Sequence, residues 1–97
     1  METPTKSDLN NLRLLIDDID NALLQLFKDR MEVSKAVGEF KKANQLPIFQ
    51  ENRWNELLKD RLLKGEKIQL SETFIKSIFE AIHEESLRLQ NHLQENK

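Results

Sequence analysis

Two cations stand out against the apolar pattern in the first half of the chain. Arg30 occupies one position of an apolar series whose members alternate at spacings of four and three. An arginine there is costly unless it pairs with an acid, extends to solvent or holds an anion. Lys41 follows 11 residues later, which on a helix is nearly the same face about 16 Å further on. The pair could hold a small anion, or Lys41 could simply be a solvated lysine that suits the end of the helix dipole.

Three other polar residues extend this set. Arg13 precedes Arg30 by about 25 Å along the helix, too far to share a small ligand within one chain. It could reach the site of an antiparallel partner helix, or it could be an exposed arginine. Ser86 and Gln90 form an i, i+4 pair inside another apolar stripe. Buried serine and glutamine need hydrogen-bond partners, so the pair faces a polar pocket or bonds to the backbone and to itself.

The remaining candidates favour anion binding over acid–base or metal chemistry. Arg53 and Gln50 lie near the start of the second predicted helix, where the helix dipole favours negative charge. His83 and His92 are nine residues apart and lack the spacing of a zinc motif. No glycine-rich phosphate loop and no nucleophile paired with a base is evident. The set of fixed cations and neutral donors suits an anionic small molecule.

The composition is that of one helical domain. The chain has 97 residues, 33% charged and 38% hydrophobic, with two glycines, two prolines and no cysteine. So few turn residues argue against an all-β fold, and the lack of cysteine excludes disulfides and cysteine–metal sites. A net charge of −2 disfavours a nucleic-acid partner. No apolar run reaches the length of a membrane span and no signal-peptide pattern opens the chain, so we expect a cytoplasmic protein.

A single long helix is predicted for residues 7–43. No proline interrupts residues 5–46, and Ser7 or Asp8 can cap the helix start. Residues 1–6 carry no pattern and are interpreted as a tail or linker remnant. The predicted apolar stripe consists of Leu12, Ile16, Ile19, Leu23, Leu26, Val33, Val37 and Phe40.

The length of this helix predicts a homodimer. About 35 residues rising about 1.5 Å each give a rod of roughly 50 Å. A compact chain of this size has a diameter of only little over about 30 Å. The remaining residues of the same chain cannot cover the stripe, so it needs another helix along its whole length. A second copy of the chain is the economical solution.

Two further helices complete the predicted domain, residues 7–97. The second runs from about Gln50 to about Leu63 and is expected to end in a C-cap at Lys64-Gly65. Ser71 is a good N-cap for the third, which runs to about Leu93. The predicted fold class is all-α, with three helices in the order long, short, long.

Taken together, these residues resemble the all-helical chorismate mutase family over about residues 8–93. Each motif is weak alone, but their order and spacing are those of the family. They are Leu12-Arg13, Ile16-Asp17-Asp18-Ile19-Asp20, Arg30, Val37-Gly38-Glu39-Phe40-Lys41, Pro47 ahead of Arg53, and Ser86 with Gln90. The resemblance implies an intertwined helical homodimer with intersubunit active sites. It also implies a Claisen rearrangement of chorismate to prephenate, in the biosynthesis of phenylalanine and tyrosine, without cofactor or metal.

The resemblance also implies roles for the polar residues. Lys41 and Gln90 are similar to the pair that donates to the ether oxygen of chorismate, and Arg30 to the arginine that binds a substrate carboxylate. Arg13 is similar to the arginine that crosses into the partner's site. These residues are the expected catalytic and substrate-binding groups.

The second helix departs from the commonest family pattern. Arg53, like Ser86, resembles a supporting site residue, and Gln50 stands where many members have an acid near the substrate hydroxyl. Trp54 replaces a glutamate that contacts that hydroxyl, so Gln50 could take its role, and helical spacing favours Trp54 as a core residue. The stretch Gln50-Glu51-Asn52-Arg53-Trp54-Asn55 is similar to the version fused to 3-deoxy-7-phosphoheptulonate synthase, which implies that synthase as a fused or associated partner.

Three alternatives remain open at this stage. Isochorismate-pyruvate lyases share the fold and a cationic pocket but eliminate pyruvate. A non-catalytic module of a larger enzyme could dimerise and sense chorismate or prephenate. A plain coiled-coil adaptor would bind no ligand and would leave Arg30, Ser86 and Gln90 unexplained in apolar stripes.

Overall fold

The computed structural model describes residues 5–95, which contain three helices and no strand. Helix α1 spans Lys6–Ala43, α2 spans Glu51–Lys67 and α3 spans Glu72–Glu95. The all-α prediction and its long, short, long order are confirmed. No helix among the described residues is both long and apolar enough to cross a membrane.

The described part of the chain divides into two compact units, with the boundary between residues 32 and 33. In the described part of the first unit, α1 carries an apolar stripe that the single chain leaves at least 43% exposed. Its members are Leu12, Ile16, Ile19, Leu23 and Leu26. A stripe of this kind is not covered by its own unit, as the heptad pattern predicts.

Helix α1 begins at a reciprocal cap formed by Thr5 and Asp8. The backbone N–H of Thr5 donates to Asp8 Oδ2 at 2.8 Å, and the backbone N–H of Asp8 donates to Thr5 Oγ1 at 3.2 Å. Thr5 is therefore the N-cap of a capping box, and the expectation of Ser7 or Asp8 in that role is wrong. Thr5 and Lys6 belong to the cap and first turn, whereas residues 1–4 of the expected tail lie outside the described residues.

Both α1 and α2 end in the same left-handed turn. Gln45 has φ 55° and Gln69 has φ 66°. After α1 the N–H of Leu46 donates to the carbonyl of Lys41 at 2.8 Å, and after α2 the N–H of Leu70 donates to that of Gly65 at 2.9 Å. These are Schellman motifs in which glutamine occupies the position that glycine usually takes.

Gly65 does not end α2, contrary to the C-cap expectation. It lies within the helix and is buried, because α3 packs directly against it. A Cβ at this position would come within 2.6 Å of Ile75 Cγ1. Together with the buried side chains of Leu57 and Ile75, this contact forms the small apolar core between α2 and α3.

Helix α3 begins as the sequence predicts. The backbone N–H of Phe74 donates to Ser71 Oγ at 3.2 Å, so Ser71 satisfies one of the unpaired donors of the first turn. This cap fixes where α3 starts, and thereby the register of the side chains that α3 presents to α1 and α2.

Candidate active site

Lys41 connects the end of α1 to α3 and to the segment between α1 and α2. Its Nζ donates to Gln90 Oε1 at 2.9 Å and to the backbone carbonyl of Ile48 at 2.6 Å. Lys41 is the first residue of the Schellman motif, four residues before the left-handed Gln45, so the chain reverses and brings the Ile48 carbonyl back to the ammonium group. The predicted Lys41–Gln90 pair is thus in contact in the unliganded chain.

The charge of Lys41 is not neutralised by either acceptor. Both are uncharged carbonyl oxygens, and no ion pair to Lys41 occurs within residues 5–95. Partial burial lowers the pKa of Lys41 from its ordinary value of 10.5, because desolvation disfavours the ammonium form. A lysine has three N–H donors, so one remains for a ligand oxygen.

Gln90 is the centre of a polar network between α1 and α3. It is 4% exposed, and its Nε2 donates to Ser34 Oγ at 3.0 Å and lies 3.4 Å from Ser86 Oγ. The hydroxyls of Ser34 and Ser86 are hydrogen-bonded to each other. The predicted i, i+4 pair of Ser86 and Gln90 therefore bonds both within itself and to Ser34 and Lys41 of α1.

Ser34 is a member of this network that the sequence analysis did not select. It is 7% exposed, and a serine within a helix carries no pattern of its own. A usable signal was present, since Ser34 lies one turn after Arg30 and two turns before Lys41 on the same face.

Gly38 lets α3 approach α1 closely enough to form the network. A Cβ at this position would lie 2.8 Å from Gln90 Cγ and 3.3 Å from Leu93 Cδ1. The first distance is shorter than real Cβ contacts, so any other residue would displace the Gln90 side chain. The glycine thus serves packing here, not backbone freedom.

The predicted residues of α2 are placed differently from Lys41 and Gln90. Arg53 is exposed, whereas Gln50 is half-buried and donates from Nε2 to the Pro47 carbonyl at 2.7 Å. Trp54 stacks on His83 with ring centroids 4.1 Å apart and planes 18° apart. The stacking packs α2 on α3, which agrees with the interpretation of Trp54 as a core residue.

The two other predicted arginines belong to the first unit. Arg13 is exposed on α1, and Arg30 is half-buried. Their types suit carboxylate binding, because a guanidinium can donate two parallel hydrogen bonds to one carboxylate. Their roles in a site stay predictions.

The sequence profile of the family described as Chorismate mutase type II matches residues 12–91. The T-protein of Haemophilus influenzae is 35% identical over 83 residues, which are 86% of this chain and 22% of that protein. A bifunctional chorismate mutase/prephenate dehydratase of Buchnera aphidicola is 33% identical over 90 residues, 93% of this chain and 23% of that enzyme. The 4-amino-4-deoxychorismate mutase of Streptomyces pristinaespiralis is 25% identical over 83 residues, 86% of this chain and 64% of that protein. The chain spans less than a quarter of the first two relatives, but the profile matches most of the chain itself, and the chain belongs to the chorismate mutase type II family.

Proposed function

We propose that the chain catalyses the rearrangement of chorismate to prephenate for the synthesis of phenylalanine and tyrosine. The observation that carries this proposal is the contact between Lys41 and Gln90, an uncompensated ammonium beside a nearly buried amide. Family membership supplies the substrate, and the contact supplies the chemistry that the substrate requires.

The reaction breaks a carbon–oxygen bond and forms a carbon–carbon bond within one molecule. It requires no proton transfer, so a site without a base–nucleophile pair is sufficient. Negative charge grows on the ether oxygen as the carbon–oxygen bond breaks. The third N–H of Lys41 would stabilise this charge together with the Gln90 N–H that makes only the long, 3.4 Å contact with Ser86 Oγ, and donors fixed in advance do so without reorganisation.

Arginines would hold the two carboxylates of chorismate in the folded, reactive conformer. We assign one carboxylate to Arg30 and propose that Arg13 of the partner subunit reaches the same site. Arg53 and Ser86 would support this binding from α2 and α3. Holding the reactive geometry converts a rare conformer of the free substrate into the bound one.

Gln50 is the group that we propose for the substrate hydroxyl. Its N–H is directed to the Pro47 carbonyl, which leaves its side-chain oxygen to accept a hydrogen bond. Trp54 would not bind the substrate hydroxyl in place of Gln50, because the Trp54 ring is stacked on His83.

A homodimer with intersubunit sites is part of the proposal. The exposed apolar stripe of the first unit supports it, since burial of several leucine and isoleucine side chains is favourable by about 1.5–3 kcal/mol each. A second copy offers a matching stripe, as closed two-fold assemblies require. The cytoplasmic location expected from the composition stays a prediction.

We further propose a 3-deoxy-7-phosphoheptulonate synthase as a fused or associated partner. The support is the Gln50–Asn55 stretch alone, which is similar to the version of the domain found with that synthase. Co-elution of this chain with the synthase in gel filtration would support the association. Separate elution at micromolar concentrations would contradict an association between separate chains.

Product identification tests the function. Purified protein is incubated with chorismate, and products are followed by NMR against a control without protein. Prephenate formed at a protein-dependent rate would confirm the proposal. A parallel incubation with isochorismate tests the lyase, which would release pyruvate. Chorismate binding without turnover would contradict the proposal and identify a sensing module.

Mixing two inactive variants tests the shared site. Arg13→Ala and Lys41→Ala homodimers are each expected to lose activity. After subunit exchange, each heterodimer would hold one site with both defects and one with neither, so activity should partly return. Lys41→Ala mixed with itself is the control. If activity does not return although exchange of subunits has been demonstrated, an intersubunit site is contradicted.

A further inference from the structure

Both ends of the Gln90 amide are bonded to α1. Its Oε1 accepts from Lys41 Nζ at 2.9 Å, and its Nε2 donates to Ser34 Oγ at 3.0 Å. An ammonium can only donate, so the amide oxygen must face Lys41. The NH2 group then faces the serines, and the orientation of the amide is determined by its partners.

The spacing along α1 matches the shape of this amide. Gly38 lies four residues after Ser34 and three before Lys41, so all three share one face of the helix. Gln90 Cγ rests over Gly38, where a Cβ would come within 2.8 Å. Helix α1 thus presents an acceptor, a gap and a donor in a row to one side chain of α3.

We propose that Ser34 is a positioning residue that holds the Gln90 amide in the orientation needed for catalysis. This rests on the proposed function of the Lys41–Gln90 pair. Ser34 is itself buried, and it would act on the substrate only through Gln90.

Loss of the Ser34 hydroxyl would leave one end of the amide poorly held. The remaining partner of Nε2 would be Ser86 Oγ, which is 3.4 Å away and lies on the same helix as Gln90. A contact of that length is weak, so the amide plane would rotate more freely about its terminal torsion. Lys41 would then donate to a less ordered amide oxygen, and the second N–H of Gln90 would no longer point in one fixed direction.

The test removes the hydroxyl with Ser34→Ala and measures kcat, KM and the Gln90 side-chain amide resonances. Misplacement of a donor lowers the rate more than substrate binding, so kcat should fall at least about tenfold with KM changed less than about threefold. In the unliganded protein, the two Nε2 proton resonances should move toward those of a solvent-exposed glutamine. Gln90→Glu identifies these resonances by their disappearance. Ser77→Ala, at an exposed position of α3, is the control and should change none of the three.

An isosteric pair keeps the test decisive if Ser34→Ala does not fold. Ser34→Thr retains a hydroxyl and Ser34→Val replaces it with a methyl of the same size, so steric effects cancel between them. Ser34→Thr should exceed Ser34→Val at least about tenfold in kcat. Equal kcat within this pair would overturn the proposal.

The outcomes separate this inference from the proposed function. If the wild-type chain does not convert chorismate, the function fails, and the resonances of Gln90 still report whether Ser34 orients it. If kcat falls while the resonances stay unchanged, Ser34 does not act through Gln90 and the proposal is overturned. Changed resonances with an unchanged kcat would overturn it equally.

Discussion

Helix α3 meets its two neighbours at a glycine in each case, but the two contacts are built from different chemistry. At Gly65 of α2 the incoming side chain is Ile75, and at Gly38 of α1 it is Gln90. Gln90 is 4% exposed and Ile75 is 7% exposed. In both places a glycine, which has no Cβ, leaves room for a side chain of α3, but the buried side chain is apolar at Gly65 and polar at Gly38.

The difference shows what each contact is for. Burial of Ile75 is favourable without any directional partner. Burial of Gln90 is tolerated only because Lys41 and Ser34 satisfy both ends of its amide. The apolar contact supplies stability, whereas the polar contact keeps an uncompensated ammonium in a fixed place.

Removal of the ammonium should have the largest effect on activity. Lys41→Ala should lower kcat at least about a hundredfold, the scale of losing one donor to a developing negative charge. Arg30→Ala should cause a loss of similar size if it binds a carboxylate. Steady-state kinetics of prephenate formation measure both. Lys76→Ala removes a charge from an exposed pair with Glu80 at 3.9 Å and is the control. A wild-type rate in folded Lys41→Ala protein would contradict the assignment.

Filling the apolar contact should lower stability and leave the site intact. In Gly65→Ala the new Cβ would lie 2.6 Å from Ile75 Cγ1, and overpacking of this kind costs about 1–3 kcal/mol. The gain in helix propensity offsets up to about 1 kcal/mol. Urea unfolding should therefore show a loss of about 1–2 kcal/mol. An unchanged free energy of unfolding would mean that α2 and α3 can separate there without cost.

The pH dependence of activity should report the polar contact. Because desolvation lowers the pKa of Lys41 from 10.5 in the unliganded chain, kcat/KM should decline with rising pH before an ordinary lysine would lose its proton. Over the same window the unfolded chain binds more protons at this group than the folded chain, so its contribution to stability rises with pH. Lys41→Arg keeps its charge and should lack this alkaline decline in whatever activity remains. If the activity of Lys41→Arg declines with the same midpoint pH as that of the wild-type protein, the titrating group is not Lys41.

The smallest expected effect concerns the turn that joins the two packed helices. Gln69 has φ 66°, a conformation that glycine adopts at less cost. Gln69→Gly should therefore raise the free energy of unfolding by up to about 1 kcal/mol, without changing kcat. Gln45→Gly at φ 55° is the matched variant beside the site. A loss of stability in Gln69→Gly would show that unfolded-chain entropy outweighs the relief of strain.

The helices could be predicted well because their signals are local. The apolar series and the cap at Ser71 determined the extent of α1 and the start of α3, and both are confirmed. Gly65 was misinterpreted because a glycine near a helix end looks the same whether it turns the backbone or receives a side chain. Only the position of Ile75 distinguishes the two, and that position depends on tertiary packing.

The site could be predicted in part, through polar residues in apolar stripes. Ser86 and Gln90 were selected in this way and Lys41 by its helical spacing from Arg30, and the structure joins Lys41, Ser86 and Gln90 in one network. Ser34 was missed because a serine on a helix carries no pattern of its own, and its two-turn spacing from Lys41 was the signal that could have found it. The arginines and Gln50 stay predictions, since their roles depend on a substrate and a second chain.

The most direct test of the account compares Gly38→Ala with Gly65→Ala, with kcat for prephenate formation measured at equal folded fraction. A Cβ at Gly38 would displace Gln90, which it would approach to 2.8 Å at Cγ. We expect kcat to fall at least about tenfold in Gly38→Ala, because a catalytic donor is misplaced, and to stay unchanged in Gly65→Ala. Equal kcat in the two variants would contradict the claim that the polar contact is the active site and the apolar contact its support.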